Sequence, residues 1–209
     1  FPHSEYPAPD DREGWLAHQA KADEAMLTFL PPIDELPVEA SVRTAGEVTV
    51  PVLRASGGAA GGPVHLDIHG GALISGGGDL CRSAGAMAAL FYGIEVWAVD
   101  YRMPPLHPFP TPLDDCVTAY RALLEERPAE QVFVGGNSAG GNLAAALMLR
   151  AKQEGLPLPG RSCSTPPRST SPSPATPSSP TSASTPRSAA CCRSTGSTPA
   201  ATTSPNRCC

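Results

Sequence analysis

The stretch Gly135-Gly136-Asn137-Ser138-Ala139-Gly140-Gly141-Asn142 sets one serine between glycines two positions before and two after it, the pattern G-x-S-x-G at Gly136, Ser138 and Gly140. It follows the apolar run Val132-Phe133-Val134 and opens a segment rich in Ala and Leu. That placement suits a nucleophile. A sharp strand-to-helix turn holds the serine in strained backbone geometry with its hydroxyl above the sheet, and its neighbours must be small because the turn leaves no room for side chains. The following helix turns free N–H groups and the positive end of its dipole toward the site, which favours a developing oxyanion. The competing reading is an ordinary glycine-rich loop in which Ser138 caps the helix.

A second run, His69-Gly70-Gly71-Ala72, directly follows the apolar strand candidate at 64–68, and Gly76-Gly77-Gly78 comes soon after. Such a loop offers backbone N–H groups at close range, since only hydrogen or methyl blocks the approach. The amides of Gly70, Gly71 and Ala72, with that of Ala139, would cradle the oxyanion of a tetrahedral acyl intermediate. The His69 side chain is expected to fix the loop by hydrogen bonding rather than to take part in chemistry. The triple glycine at 76–78 lacks the G-K-[ST] continuation of a phosphate loop, so nucleotide binding is a poor reading.

Between these runs lies Val99-Asp100-Tyr101-Arg102-Met103-Pro104-Pro105-Leu106-His107-Pro108-Phe109-Pro110, followed by Leu113-Asp114-Asp115. Together the three segments resemble the hormone-sensitive-lipase family of α/β-hydrolases, bacterial esterases with an H-G-G-G motif and a D-Y-R-L-A-P-E-H-P-F-P segment. The resemblance covers about residues 45–160, and the helical lead from Trp15 is similar to the family's N-terminal cap region. It implies a serine hydrolase acting on carboxylic esters with short or medium acyl groups, with Ser138 as nucleophile and a small-molecule ester as substrate. No metal or other cofactor is implied, because acyl transfer by this route needs none.

Departures lie inside the match. Ala72 replaces the last glycine of H-G-G-G, an exchange that a backbone at negative φ accommodates. Leu106 stands where the family has Glu, and Met103 and Pro104 replace Leu and Ala. The largest departure is the triad, which in the family continues after the serine with Asp or Glu and then His. After Ser138 this sequence holds one acid, Glu154, and no histidine. Without an imidazole the hydroxyl has no general base and is a poor nucleophile at neutral pH. His65, His69 and His107 are the candidates to substitute, each poorly placed: in a strand, in the glycine loop and in a Pro-rich loop. Asp114 and Asp115 read as a solvated helix start rather than a catalytic carboxylate pair.

The elements that must position these residues alternate in the βα rhythm. A helix is expected over Trp15–Leu30, with Leu16, Ala20, Leu27 and Leu30 on one face, ended by Pro31-Pro32. Strands are expected at 47–53, 64–68, 94–99 and 131–134, and helices at 80–91, 112–126 and 140–154. Strands alternating with helices of this length indicate parallel βαβ units. The fold class is therefore α/β: the N-terminal part of an α/β-hydrolase fold with a mostly parallel sheet flanked by helices, and a disordered C-terminal tail. The expected organisation is a cap-like lead over 1–44, the partial hydrolase domain over 45–160 and the tail over 161–209.

Across 209 residues the averages are ordinary, with 41% hydrophobic and 17% charged residues. The averages hide two compositions. Residues 161–209 contain no Val, Ile, Leu, Met, Phe, Trp, Tyr or His, and no acid, so they cannot bury enough surface to offset chain entropy. Their Ser/Thr/Pro/Arg/Cys content suits a linker, or translation of a GC-rich gene in the wrong frame. Codons can be chosen for Ser169–Thr176 and Cys191–Thr203 whose shifted frame reads V-D-L-T-E-S-G-D and L-L-P-V-D-R-L-Y-A-G-G-H-D. A frameshift near Gly160 is the expectation. The acidic balance of residues 1–160 excludes a nucleic-acid surface, and no run approaches the ~18 apolar residues of a membrane span. No secretory signal opens the chain, whose first residue is Phe1 rather than Met, so the N-terminus is expected to be processed or to lie upstream. Of seven cysteines only Cys81 and Cys116 fall in the foldable part, which points to a reducing cytoplasm. The rivals to an esterase are a non-catalytic binding protein that uses the same pocket, as the plant gibberellin receptors resemble this family, and a non-functional fragment.

Overall fold

The computed structural model describes residues 6–165, of which 161–165 are described by backbone alone. Six strands form one sheet: β1 (Val38–Ala45), β2 (Val48–Ala55), β3 (Val64–Ile68), β4 (Glu95–Val99), β5 (Val132–Asn137) and β6 (Arg161–Thr165). Their order is β1-β2-β4-β3-β5-β6. The β1–β2 hairpin and the β2–β4 pair are antiparallel, while β4, β3, β5 and β6 run parallel. The helices are α1 (Arg12–Leu27), α2 (Asp79–Tyr92), α3 (Thr111–Glu126) and α4 (Ala139–Gln153).

The pleat of β3 explains how the sheet divides the molecule. Val64, Leu66 and Ile68 are fully buried in the larger core, together with Leu123 of α3 and Leu147 of α4. Burial of each such side chain is worth about 1.5–3 kcal/mol. On the other face a smaller cluster joins Leu53, Val96 and Ala98 of the sheet to Cys81, Ala86 and Ala89 of α2. His65 and Asp67 alternate with the buried β3 residues and line the cavity that α2 helps to enclose. Strands β3 and β4 thus bury both faces, as crossover helices require.

The expected elements from residue 64 to 154 all form, with ends displaced by at most three residues. Three expectations need correction. The strand β1 has no counterpart in the sequence reading, and it takes most of its length from the lead segment assigned to 1–44. It is an edge strand whose side chains are almost all exposed, so no apolar alternation marks it. Helix α1 starts earlier than Trp15 because Asp11 caps it, its carboxylate accepting from the Gly14 N–H at 2.8 Å. It ends at Leu27, and none of its residues is buried, so the proposed apolar face is not a core face. The boundary at 160 also falls short: Arg161–Thr165 pairs in parallel with Phe133–Asn137. Its Ser, Thr and Cys content carries no apolar alternation, which is why the strand gave no signal in the sequence. The remainder of the expected disordered tail, 166–209, lies outside the described residues.

Candidate active site

Ser138 sits between β5 and α4 at φ 50°, ψ −118°, a backbone region that L residues rarely adopt. Its side chain makes no capping hydrogen bond to α4, which sets aside the reading of a plain helix cap. The residue is exposed at the junction. The glycines around it are required by contact. A Cβ on Gly136 would fall 2.3 Å from the Ile68 carbonyl oxygen and 2.7 Å from the Gly140 carbonyl carbon. One on Gly140 would fall 2.5 Å from the His69 carbonyl oxygen. The turn is therefore pressed onto the end of β3, where the second glycine run begins.

That run lies against the turn from the other side. A Cβ on Gly70 would fall 2.4 Å from Asn137 Oδ1 and 3.0 Å from the Asn137 carbonyl oxygen. The N–H groups of Gly70, Gly71 and Ala72 donate no hydrogen bond to another described residue. Gly71 then accepts from the N–H of Ile74 and of Ser75, each at 3.0 Å, closing a turn with Ala72 at φ 56° and Leu73 at φ 65°. The expectation of negative φ at Ala72 is thus corrected: both central residues have the handedness of a type I′ turn, in positions that favour glycine or asparagine. A cavity of about 630 Å³ joins the two runs. Ser138, Gly136, His69, Gly70 and Gly71 line it; Ala72, Ala139 and Gly140 do not. Met26 of α1, Phe29 and Leu30 just after it, and Leu80, Met87 and Phe91 of α2 give it an apolar wall.

His69 is held as a structural residue. Its Nδ1 lies 2.7 Å from the Gly70 carbonyl oxygen, which can only accept, so Nδ1 carries the proton and Nε2 keeps its lone pair. The ring stacks on Tyr101 with centroids 4.0 Å apart, and the Tyr101 hydroxyl donates to the His69 carbonyl at 3.0 Å. Burial lowers the His69 pKa, opposed by the Gly70 bond and by Asp100, and burial pushes the Tyr101 phenol up. Nε2 is buried with no hydrogen-bond partner among the described residues.

The other titratable candidates are not brought to Ser138. His65 pairs in register with Phe133, five residues before the serine, which places it about 16 Å away along the strand. It lies 3.4 Å from Asp67 and against Tyr92. His107 does not line the cavity. Glu154 follows the far end of α4, about 24 Å from Ser138, where Arg121 and Arg150 hold its carboxylate at 2.5 and 2.6 Å. Those bonds to Arg150 and Arg121 lower its pKa. Asp114 fits the solvated helix start, half-exposed and 3.4 Å from Arg150. Asp115 corrects it: the residue is 2% exposed and accepts from Arg102 three times, at the backbone N–H (2.9 Å), Nε (3.0 Å) and Nη2 (2.7 Å).

Two positioning residues escape the sequence reading. Asp23 of α1 accepts from the Gly76 N–H at 2.7 Å, and Gln19 of the same helix donates to the Pro104 carbonyl. An isolated acid on a polar helix carries no motif, so only its long-range partner identifies it. Tyr101 lies inside the segment that follows β4, yet nothing local reveals that it grips His69.

Comparison with known proteins identifies the family to which this fold belongs. The family described as alpha/beta hydrolase fold matches residues 65–201. An acetyl-hydrolase of Streptomyces hygroscopicus is 37% identical over 107 residues, which is 50% of this chain and 36% of that protein. The carboxylesterase/phospholipase LipF of Mycobacterium tuberculosis is 43% identical over 110 residues, 51% of this chain and 28% of that protein. A solved hormone-sensitive lipase from a metagenome library superposes with a TM-score of 0.65 at 34% identity, covering 78% of this chain and 52% of that one. The chain spans between about a quarter and about half of these proteins' lengths. No helix among the described residues is long and apolar enough to cross a membrane.

Proposed function

The chain belongs to the alpha/beta hydrolase fold family, among the hormone-sensitive-lipase-like bacterial esterases, and from that premise we propose that it carries the nucleophile and oxyanion half of a site that hydrolyses short- to medium-acyl carboxylic esters. The observation that carries the proposal is Ser138 itself: held at φ 50°, uncommitted to capping the helix, and facing one cavity with Gly70 and Gly71. Ser138 Oγ attacks the ester carbonyl carbon as a base takes its proton. The carbonyl oxygen becomes the oxyanion, stabilised by the N–H groups of Gly70, Gly71 and Ala139, with Ala72 holding the loop's turn. The C–O bond to the alcohol then breaks, the alcohol leaves with a proton, and water hydrolyses the acyl-enzyme. The apolar wall from α1 and α2 receives the acyl chain.

The base is the missing part. No histidine among the described residues hydrogen-bonds to Ser138, the His69 Nε2 having no partner, and none follows Ser138 in the sequence. We therefore assign turnover to a histidine and an acid supplied by residues outside this sequence, as a frameshift near Gly160 would explain. The absent imidazole favours one second reading, a binding protein that keeps the pocket without the triad. A reducing cytoplasm suits either, since Cys81 and Cys116 are both free and buried.

Incubation of the full chain with a fluorophosphonate probe decides between the two. Labelling that disappears in Ser138→Ala establishes an activated nucleophile. A folded sample that is not labelled yet binds a p-nitrophenyl butyrate analogue leaves the binding reading. Resequencing the coding DNA across codons 150–170 completes the test, because an open frame downstream that reaches an acid and a late histidine would identify the source of the base.

A further inference from the structure

Where the glycine loop meets α2 and the end of β4, three side chains that take no direct part in acyl transfer come together. A ring nitrogen of His69, the Cys81 sulfur and an Asp100 carboxylate oxygen all lie within 4.8 Å of one another. His69 leads the glycine loop after β3, Cys81 sits in the first turn of α2, and Asp100 follows the end of β4. We infer that these three side chains form a mononuclear site for a borderline divalent cation of the zinc type, which ties the loop to the helix and the sheet.

The donor set suits that ion. Zinc takes nitrogen, sulfur and carboxylate oxygen together, at about 2.0–2.3 Å, so donors around one tetrahedral ion stand roughly 3.3–3.8 Å apart. A small side-chain adjustment brings a triad within 4.8 Å to that spacing. His69 is only 6% exposed, and its Nδ1 is committed to the Gly70 carbonyl, the orienting bond that metal-ligating histidines make with their other nitrogen. The buried Nε2, with a lone pair and no partner among the described residues, is the nitrogen left to bind a metal. Asp100 is oriented in the same way by the Gly78 N–H, which donates to Oδ1 at 2.9 Å. One thiolate, one carboxylate and one neutral imidazole around a dication sum to zero charge, which suits a buried site. As the sulfur–metal bond forms, the Cys81 proton leaves to solvent, and water takes the fourth position.

The test uses Co2+ and Zn2+ alone with the full chain. Cys163, Cys191, Cys192, Cys208 and Cys209 are first changed to Ser, since free thiols there would bind metal by themselves. The expected result is one equivalent of Co2+ bound, with a thiolate-to-cobalt charge-transfer band that Zn2+ displaces. The band is kept in Cys116→Ser and lost in Cys81→Ser. Asp100→Asn weakens binding by at least the 10- to 100-fold typical of a disturbed site, and Zn2+ raises the thermal midpoint of the parent but not of Cys81→Ser. X-ray absorption of the zinc-loaded parent keeps the proposal falsifiable should a variant fail to fold: one sulfur and nitrogen or oxygen otherwise is expected. No stoichiometric binding, a coordination shell without sulfur, or a charge-transfer band that survives in Cys81→Ser overturns it.

Discussion

Gly140 of the Ser138 turn stands so close to Ile68 at the end of β3 that a Cβ on Gly140 would fall 1.9 Å from the Ile68 carbonyl oxygen. The carbonyl belongs to a strand whose neighbours are paired on both sides, so it cannot yield as a flexible side-chain tip could. Gly140→Ala must therefore lift the turn off the strand. The expected cost is about 1–3 kcal/mol, as for overpacked cores, with the larger share appearing in function because Ser138 moves with the turn. A thermal melt and fluorophosphonate labelling measure both. A stable variant labelled at the parent rate would show that the contact is not what positions the serine.

Ser138 stores backbone strain that a glycine would not. At φ 50°, ψ −118° a side-chain-bearing residue costs about 1–3 kcal/mol. Ser138→Gly relieves this and gives back about 0.4–1 kcal/mol through the freer unfolded chain. The variant is expected to gain about 1 kcal/mol net, whereas Ser138→Ala shows no such gain; any probe labelling of the parent is lost in both. Denaturant melts of the three proteins compare them directly, and equal midpoints for Gly and Ala would refute the strain.

The same contrast applies in the glycine loop. Ala72 at φ 56° is followed by Leu73 at φ 65°, so the turn carries two side chains in positions that favour none. Ala72→Gly is expected to raise stability by about 0.5–1 kcal/mol and leave the loop's course unchanged. A melt reads the shift; a destabilised Ala72→Gly would mean that the methyl group packs usefully and that this packing outweighs the backbone strain.

How far the sequence reveals all this depends on where the determining contacts lie. The elbow is legible because its requirement is local: small residues around one serine between an apolar strand and a helix. The βα elements from 64 to 154 are legible because crossover helices and doubly buried strands write continuous apolar periodicity. Strand β1 is not, since its pairing through the backbone leaves its side chains exposed and free to be polar, and the Ser, Thr and Cys of β6 carry no apolar alternation. Asp115 misleads for the opposite reason. Its carboxylate looks like a solvated helix start until tertiary folding brings Arg102, thirteen positions earlier, into a three-bond clamp. Ala72 misleads because a residue's φ is set by the loop that closes around it, here by Gly71 accepting from both Ile74 and Ser75.

The Asp115–Arg102 clamp gives its own expectation. Asp115 is buried, and Arg102 reaches on to Glu47 at 2.6 Å, so the arginine links α3, the segment after β4 and the hairpin between β1 and β2. Removing the carboxylate leaves three donors of Arg102 without acceptors. Loss of one partner of a buried pair costs about 3–5 kcal/mol, and since Arg102 keeps partial exposure the lower end applies to Asp115→Ala. Asp115→Asn retains one acceptor and is expected to lose less. Urea midpoints of both variants against the parent test the ranking; a loss under about 1 kcal/mol in Asp115→Ala would place the pair with ordinary surface bridges.

Helix α1 buries no residue, so it must be held by a few specific contacts, and the Asp23 bond to the Gly76 N–H is the one that reaches the glycine loop. Gly76 itself cannot be replaced, because a Cβ there would fall 2.5 Å from His69 Nδ1. Its N–H therefore anchors the backbone that surrounds the His69 ring. Removing the acceptor by Asp23→Ala is expected to expose the Gly76 amide to hydrogen exchange and to cost about 1 kcal/mol, below the full range of charge-assisted bonds because the pair is only partly buried. Asp23→Asn keeps an acceptor oxygen and restores most of the protection. Exchange at Gly76 followed residue by residue is the measurement, since it reads the loop whether or not Ser138 turns over. Unchanged protection in Asp23→Ala would mean that the loop holds itself through the Gly71 turn and Tyr101, with α1 lying on it as a passive cover.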